Sequence, residues 1–257
     1  MNSSFDQGLK VAGAAYDARD YRLAFRLYLR LALQGCVPAQ RWVALMLDFG
    51  EGCRKDTACA ARWYRTAAEQ GDAQSQNNLG VDYATGDGVP KDMAEAARWF
   101  RRAAQQGHAY AQSHLGRLYE HGEGVPRDHK EAARLYLLAA NQGYARAQND
   151  IGFMLGFGEG IPPRDDIEAY KWLALAIKGY TEKNQERLDQ ARKDLATLAK
   201  RMTRAQIAEA ERRISCQPVH TMFAATSRAM AGSSQSQPVI QTRPTPPMTP
   251  TEVQTSV

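Results

Sequence analysis

Three glycine doublets are the first features of this 257-residue sequence that suggest chemistry. Gly86-Asp87-Gly88, Gly122-Glu123-Gly124 and Gly158-Glu159-Gly160 resemble the glycine-rich loops that hold phosphate groups at the start of a helix. Such loops follow a β-strand, and no strand pattern precedes these doublets. The sequence therefore predicts turns between helices here and no cofactor site.

Four histidines form a second candidate, a metal centre. His108, His114, His121 and His129 fall within one stretch of the chain, but no HxxxH or HExxH spacing places two of them on one face of a helix. Without that spacing, two imidazoles do not reach the same ion. The sequence predicts no metal site, and no other motif indicates a catalytic one.

The four cysteines, Cys36, Cys53, Cys59 and Cys216, are irregularly spaced and contain no CxxC pair, so they indicate neither zinc nor a redox couple. Cys53 is interpreted as a buried apolar residue. A bond between Cys53 and Cys59 would require an oxidising compartment.

An internal repeat explains the glycines. Gly35, Gly71, Gly107 and Gly143 are spaced by 36 residues, and the intervals that begin at Gly71 and Gly107 share 18 of 36 positions. A period of this length is typical of helical solenoids. Apolar residues at four-residue steps predict a first helix that ends at Gly86 or Gly122, where glycine supplies the left-handed residue.

A second helix is predicted to begin at Asp92, Asp128 and Asp165. Each aspartate is followed three residues later by a glutamate, which is the spacing of a reciprocal capping box. Gly80 and Gly116 fall inside the first helices, where they indicate close approach of a partner helix. Trp63, Trp99, Trp172 and paired alanines are expected to fill the seam between the helices.

The pattern LGxxYxxGxGVxxDxxxAxxWxxxAAxxG, read from Leu79 to Gly107, resembles the Sel-one-like repeat (SLR), a relative of the tetratricopeptide repeat. The resemblance implies an all-α, right-handed α/α superhelical solenoid, a bacterial source, and a non-catalytic adaptor that binds another protein or peptide segment. It also brings a weaker alternative, an enzyme acting on cell-wall or β-lactam substrates. That chemistry needs a serine with a lysine three residues on, and the chain contains no SxxK.

The repeat also predicts the domain organisation. Leu188 to Met202 follow the spacing of an amphipathic cap helix, and Thr203 with Gln206 begins another by a capping box. The last 41 residues contain six prolines and three charged residues and are predicted to be disordered. The predicted units are an N-terminal capping half repeat at 1–35, four repeats at 36–71, 72–107, 108–143 and 144–179, a helical cap at 180–216 and a tail at 217–257.

The first helices of such solenoids line a concave groove, so residues that vary between repeats on their outward face are candidate partner contacts. Seven and ten residues after each repeat glycine stand the predicted groove residues Trp42, Leu45, Asn78, Val81, His114, Arg117, Asp150 and Phe153. Fourteen residues after it stand Phe49, Thr85, His121 and Phe157. Aromatic residues and arginine suit this role because they anchor many interfaces. An alternative for Trp42 is packing on the N-terminal half repeat.

Charge and composition exclude several other classes. The net charge is +5, and the excess of lysine and arginine lies in the cap between Lys183 and Arg213. A basic cap suggests a binder of anionic surfaces as a further alternative, but no aromatic residues alternate with the basic ones, which argues against nucleic acid. No apolar run is long enough to span a membrane, and the N-terminus lacks a signal-peptide pattern, so a cytoplasmic location is expected, with a periplasmic or secreted one as the weaker alternative.

Overall fold

A computed structural model describes residues 3–157, 164–181 and 184–216. Within these ranges the secondary structure consists of α-helices, and no β-strand is found. Twelve helices are found there: α1 (Ser3–Asp17), α2 (Tyr21–Leu33), α3 (Val37–Phe49), α4 (Thr57–Glu69), α5 (Ala73–Thr85), α6 (Met93–Gln105), α7 (Ala109–His121), α8 (His129–Asn141), α9 (Ala145–Phe157), α10 (Asp166–Gly179), α11 (Gln185–Ala199) and α12 (Arg204–Ser215). Each helix from α1 to α10 packs mainly on its neighbours in the chain. This serial packing confirms the predicted all-α solenoid.

The ends of the repeat helices follow the predicted signals. The first helices α5 and α7 end at Gly86 and Gly122, both left-handed. The second helices α6, α8 and α10 begin where the aspartate side chains accept hydrogen bonds from two backbone N–H groups of the first turn.

The other half of the predicted capping box is replaced by ion pairs. The carboxylate of Glu95 lies 2.5 Å from Arg98, and that of Glu131 lies 2.7 Å from Arg134. An arginine three residues along the same helix offers a charged donor, which a carboxylate prefers to a neutral backbone N–H. Thr203 and Gln206 form the complete reciprocal box that was predicted for α12.

Glycines inside the first helices allow the two helices of a repeat to approach closely, as expected. A Cβ atom on Gly80 would lie 2.7 Å from the ring of Phe100, and one on Gly116 would lie 3.0 Å from the ring of Tyr136. Alanines of the second helices, including Ala96, Ala103 and Ala132, are fully buried. In these two repeats the space between the helices is therefore filled by one large aromatic ring surrounded by glycine and alanine.

Consecutive repeats are joined by a ladder of glutamines that repeats with the same period. Gln76 donates to the carbonyl of Ala68 in the preceding repeat at 3.0 Å, and its Oε1 accepts from Gln106 at 2.8 Å. Gln112 occupies the same place one repeat later, with Ala104 and Gln142 as its partners. Because both polar ends of each buried amide are satisfied, the ladder holds neighbouring repeats in one relative position.

The C-terminal cap packs as predicted. Ala191, Leu198 and Met202 are buried, and α11 and α12 both contact α10. The turn predicted at 158–160, the shift at Ile161-Pro162-Pro163 and the tail at 217–257 lie outside the described residues. Within the described ranges, no helix combines the length and the apolar character that crossing a membrane requires.

Candidate partner-binding face

The residues seven positions after each repeat glycine lie between consecutive repeats. Trp42 stacks on Tyr28 of the preceding helix at 5.3 Å between ring centroids, and His114 stacks on Phe100 at 4.9 Å. Trp42, Asn78 and His114 are all buried. The structure differs here from the expectation of an outward-facing column, because a ring of the preceding repeat covers Trp42 and His114, and Asn78 is buried as well. Their role in partner binding stays a prediction.

The residues ten positions after the glycine fall into two groups. Leu45 and Val81 are buried, whereas Arg117 and Phe153 are partly exposed. Arg117 lies 3.5 Å from the carboxylate of Glu123, and 14% of its side chain is exposed. Only the C-terminal half of this column therefore offers side chains to a partner without rearrangement.

The third column, fourteen positions after the glycine, is the most open. Phe49, Thr85 and His121 are exposed, and Phe157 is half-buried against Phe153 at 4.8 Å between rings. These residues lie at the C-terminal ends of the first helices. They extend the candidate face toward the interhelical turns.

A further row of side chains lies at the N-terminal ends of the first helices, and the sequence analysis did not predict it. We term it the N-terminal row. It consists of half-buried residues one and three positions after the repeat glycines, with Gly179, 36 residues after Gly143, counted among them: Asp72, Gln74, His108, Tyr110, Tyr144, Arg146 and Tyr180. Gln74 contacts His108 of the next repeat at 3.0 Å, and the ring centroids of Tyr110 and Tyr144 are 4.6 Å apart. The row is therefore continuous from one repeat to the next.

A signal for this row was present in the sequence. Three positions after the glycine, the chain carries Pro38, Gln74, Tyr110 and Arg146, which differ as much as the residues of the predicted columns. Variation in one column, among repeats whose core positions are shared, indicates freedom from the common packing. The row contains amide, aromatic and cationic side chains that are partly exposed. Groups of these kinds anchor bound peptide segments in many interfaces.

His108 links the row to helix α7, whose N-terminus it caps. Its Nδ1 accepts from the backbone N–H of Ala111 at 3.3 Å, so its Nε2 carries the hydrogen that is donated to Gln74. Burial lowers the pKa of His108 to about 4 because the imidazolium loses its hydration there. The neutral ring that caps α7 is therefore the form present at neutral pH.

We expect this histidine to make the stability of the protein depend on pH. Since the pKa of His108 is lower in the folded than in the unfolded chain, the unfolded chain takes up the proton first and the folded state loses stability as pH falls from about 6.5 to 4. Between pH 7.5 and pH 4.5 the expected loss is about 2–3 kcal/mol. His108→Asn keeps a capping side chain without the titration. Urea unfolding at pH 7.5 and pH 4.5 should show a smaller loss in the variant, and equal losses would contradict the assignment.

Other candidate chemistry finds no support in the described part of the chain. No group of three or more metal-ligating side chains is found there. His121 is exposed, with its Nε2 4.0 Å from a carboxylate oxygen of Glu120, and all four cysteines are free thiols. Arginines of the basic cap are held in ion pairs, Arg201 with Asp166 and Arg213 with Glu168, which reduces their charge toward an external anionic surface.

Helix pairs packed in chain order, with a buried aromatic residue between repeats, define a helical repeat protein of the tetratricopeptide-like class. The family model of the Sel1 repeat matches residues 13–36, 37–72, 73–108, 109–144 and 145–179. The chain belongs to the Sel1 repeat family, as its sequence pattern suggested.

Solved structures agree with this assignment. A Sel1 repeat protein from Oxalobacter formigenes is 31% identical, with a TM-score of 0.62 over 75% of this chain and 85% of that one. The protein c5321, described as a protective antigen present in uropathogenic Escherichia coli strains and displaying an SLR fold, is 29% identical with a TM-score of 0.66. That match covers 86% of this chain but only 45% of c5321. No curated protein shows significant similarity to this chain.

Proposed function

We propose that this protein is a non-catalytic adaptor that binds a segment of another protein along the first helices α3, α5, α7 and α9. Sel1 repeats generally serve protein interaction, and the finer assignment rests on the N-terminal row. Its side chains differ from repeat to repeat while the glutamine ladder and the buried rings stay nearly constant. A face whose groups change along a constant framework suits recognition of one particular segment.

The half-buried state of the row supports the same function. Gln74 and Tyr110 are held by contacts to the next repeat, so little side-chain freedom remains to be lost on binding. Preorganised aromatic and amide groups provide contact area and backbone hydrogen bonds to an extended peptide. No observation on the described residues favours the cell-wall enzyme alternative.

The test compares two double variants in affinity capture from the native bacterium. Gln74→Ala with Tyr110→Ala removes the centre of the row, whereas Arg98→Ala with Arg134→Ala removes two exposed arginines of the second helices. We expect one defined protein to be recovered by the wild type and the arginine variant and to be reduced at least about tenfold by the row variant. Equal recovery by all three chains would contradict the proposed face.

Both variants require a folding control. Circular dichroism and thermal unfolding should show that each remains helical at the capture temperature. If the row variant unfolds, the single variant Gln74→Ala tests the same face, since this side chain reaches the surface and its loss leaves the rings of Tyr110 and Tyr144 in place.

A further inference from the structure

Three rings of the N-terminal row form a continuous surface, which we term the aromatic shelf. The ring centroids of His108 and Tyr110 are 5.8 Å apart, and those of Tyr110 and Tyr144 are 4.6 Å apart. All three residues are half-buried, so each keeps a part that a ligand can touch. The aromatic shelf therefore connects the N-terminal end of α7 with that of α9.

The aromatic shelf is uncharged at neutral pH. Burial lowers the pKa of His108 to about 4, and burial raises the pKa of Tyr144 to about 12. A carboxylate placed on these neutral rings would lose hydration without gaining an opposite charge. Aromatic surfaces of this kind bind polyproline II segments, whose restricted backbone loses little entropy on binding.

The tail of the same chain contains a segment with the matching chemistry. Pro244, Pro247 and Pro250 recur at every third residue, and residues 244–250 carry no charge. A polyproline II helix has three residues per turn, so in that conformation the three prolines share one face at intervals of about 9 Å. The outer rings of the aromatic shelf are separated by no more than its two ring spacings combined. Two successive prolines therefore match its length.

The tail begins about one helix length from the aromatic shelf. Arg213, in the last turn of α12, lies 2.6 Å from Glu168 in the first turn of α10. Helix α10 has 14 residues and is about 21 Å long. At its other end, a Cβ atom on Gly179 would lie 2.8 Å from that of Ala145, the residue after Tyr144. The tail therefore has to cross roughly 20–30 Å.

The chain between α12 and the proline segment has the length that this span requires. It comprises residues 217–243, which are 27 residues. A flexible chain of that length has a root-mean-square end-to-end distance of about 30 Å. A tethered ligand is most concentrated at its site when span and linker agree in length, and its effective concentration is then on the order of 1 mM.

We propose that the proline segment 244–250 docks on the aromatic shelf of its own chain and covers the partner-binding face until a partner displaces it. This inference rests on the proposed adaptor function, because it concerns the regulation of the same face. The prolines pack on the rings. The hydroxyls of Tyr110 and Tyr144 donate to backbone carbonyls of the segment, which a polyproline II helix leaves without internal hydrogen bonds.

The first experiment compares full chains by nuclear magnetic resonance of the isotopically labelled protein. One variant combines Pro244→Ala, Pro247→Ala and Pro250→Ala and so removes the proline face. Its control combines Thr245→Ala with Thr249→Ala and alters the same segment between those prolines. We expect the signals of the aromatic shelf to shift in the proline variant and to keep their wild-type positions in the control. Both variants should keep the wild-type melting temperature, since the substitutions lie outside the twelve helices.

A synthetic peptide of residues 241–252 tests the same contact between separate molecules. It should bind the proline variant with a Kd on the order of 0.1 mM and the wild type about tenfold more weakly, because the tethered segment competes at about 1 mM. Within the proline variant, Tyr110→Ala should abolish the peptide-induced shifts, whereas the exposed control Arg98→Ala should retain them. If Tyr110→Ala lowers the melting temperature, the comparison of wild type and proline variant still tests the contact.

Several results would overturn the docking of the tail: signals of the aromatic shelf that do not respond to the proline substitutions, equal effects of the threonine and proline variants, or equal peptide affinity for the wild type and the proline variant. Wild-type signals that approach those of the proline variant on dilution would show docking between two copies. That result would also contradict docking within one chain.

These outcomes are separate from those of partner capture. If the tail covers the face, the proline variant should capture more partner than the wild type. Capture that depends on the N-terminal row but is equal in these two chains would leave the adaptor function standing and remove only the tail contact. Docking of the tail without row-dependent capture would do the reverse.

Discussion

Replacing Gly88 by alanine should lower the free energy of unfolding by about 3–5 kcal/mol. Gly88 has φ of 73°, a left-handed conformation that costs an alanine about 1–2 kcal/mol. A Cβ atom there would also overlap the backbone carbonyl of Thr57, at the start of a second helix in the preceding repeat. Backbone atoms cannot rotate away as a side chain does, so consecutive repeats would have to separate.

Gly71→Ala is the matched control for this variant. Gly71 has φ of 94°, yet a Cβ atom there would meet nothing within 4 Å. It therefore carries the conformational cost without the overlap, and we expect a loss of about 1–2 kcal/mol. Urea unfolding followed by circular dichroism measures both. Equal losses in the two variants would show that the contact with Thr57 contributes nothing to the joining of repeats.

Replacing Trp42 by alanine should cost about 3–5 kcal/mol, which is typical for deletion of a buried aromatic side chain. Trp42 contacts Tyr28 on one side and Tyr16 on the other, with ring centroids 5.3 and 5.0 Å apart, so its loss opens a cavity between the first full repeat and helices α1 and α2. We expect these two helices to become exposed first. Hydrogen exchange of the amides in α1 and α2 should accelerate before that of α7.

Two controls accompany this prediction. Trp42→Phe retains a ring in the stack and should cost less than half as much as alanine. Phe49→Ala, on the same helix, removes a side chain that is 42% exposed and should change stability by less than about 1 kcal/mol. If Trp42→Ala lowers the free energy of unfolding no more than Phe49→Ala, the packing role of Trp42 is wrong. The earlier prediction that Trp42 contacts a partner would then be favoured.

The local structure was predictable because its signals act within one or two helical turns. The helix end at Gly86 and the helix start at Asp128 are both fixed by hydrogen bonds to residues fewer than five positions away. The repetition of these signals was enough to predict the helix pairs and the solenoid. The extra proline near Pro162 falls outside the described residues, so its predicted effect stays open.

The candidate face was less predictable because it depends on how one repeat is rotated against the next. Periodicity places Trp42 and His114 on one face of their helices but does not show that Tyr28 and Phe100 of the preceding repeats cover them. That rotation is determined by contacts between repeats, such as that of Gly88 with Thr57, about 30 positions earlier, and the hydrogen bond from Gln76 to Ala68. The N-terminal row becomes recognisable only after this rotation is known.

The glutamine ladder has a consequence for how such a chain evolves. Gln76 and Gln112 make the same two contacts one period apart, so these two repeats are joined to the repeats before them by the same hydrogen bonds. Duplication or loss of one 36-residue unit in the gene would therefore keep this pair of contacts at the new junction, while the row residues on either side move apart or together by one repeat. New spacings of recognition groups would then arise in a single genetic step.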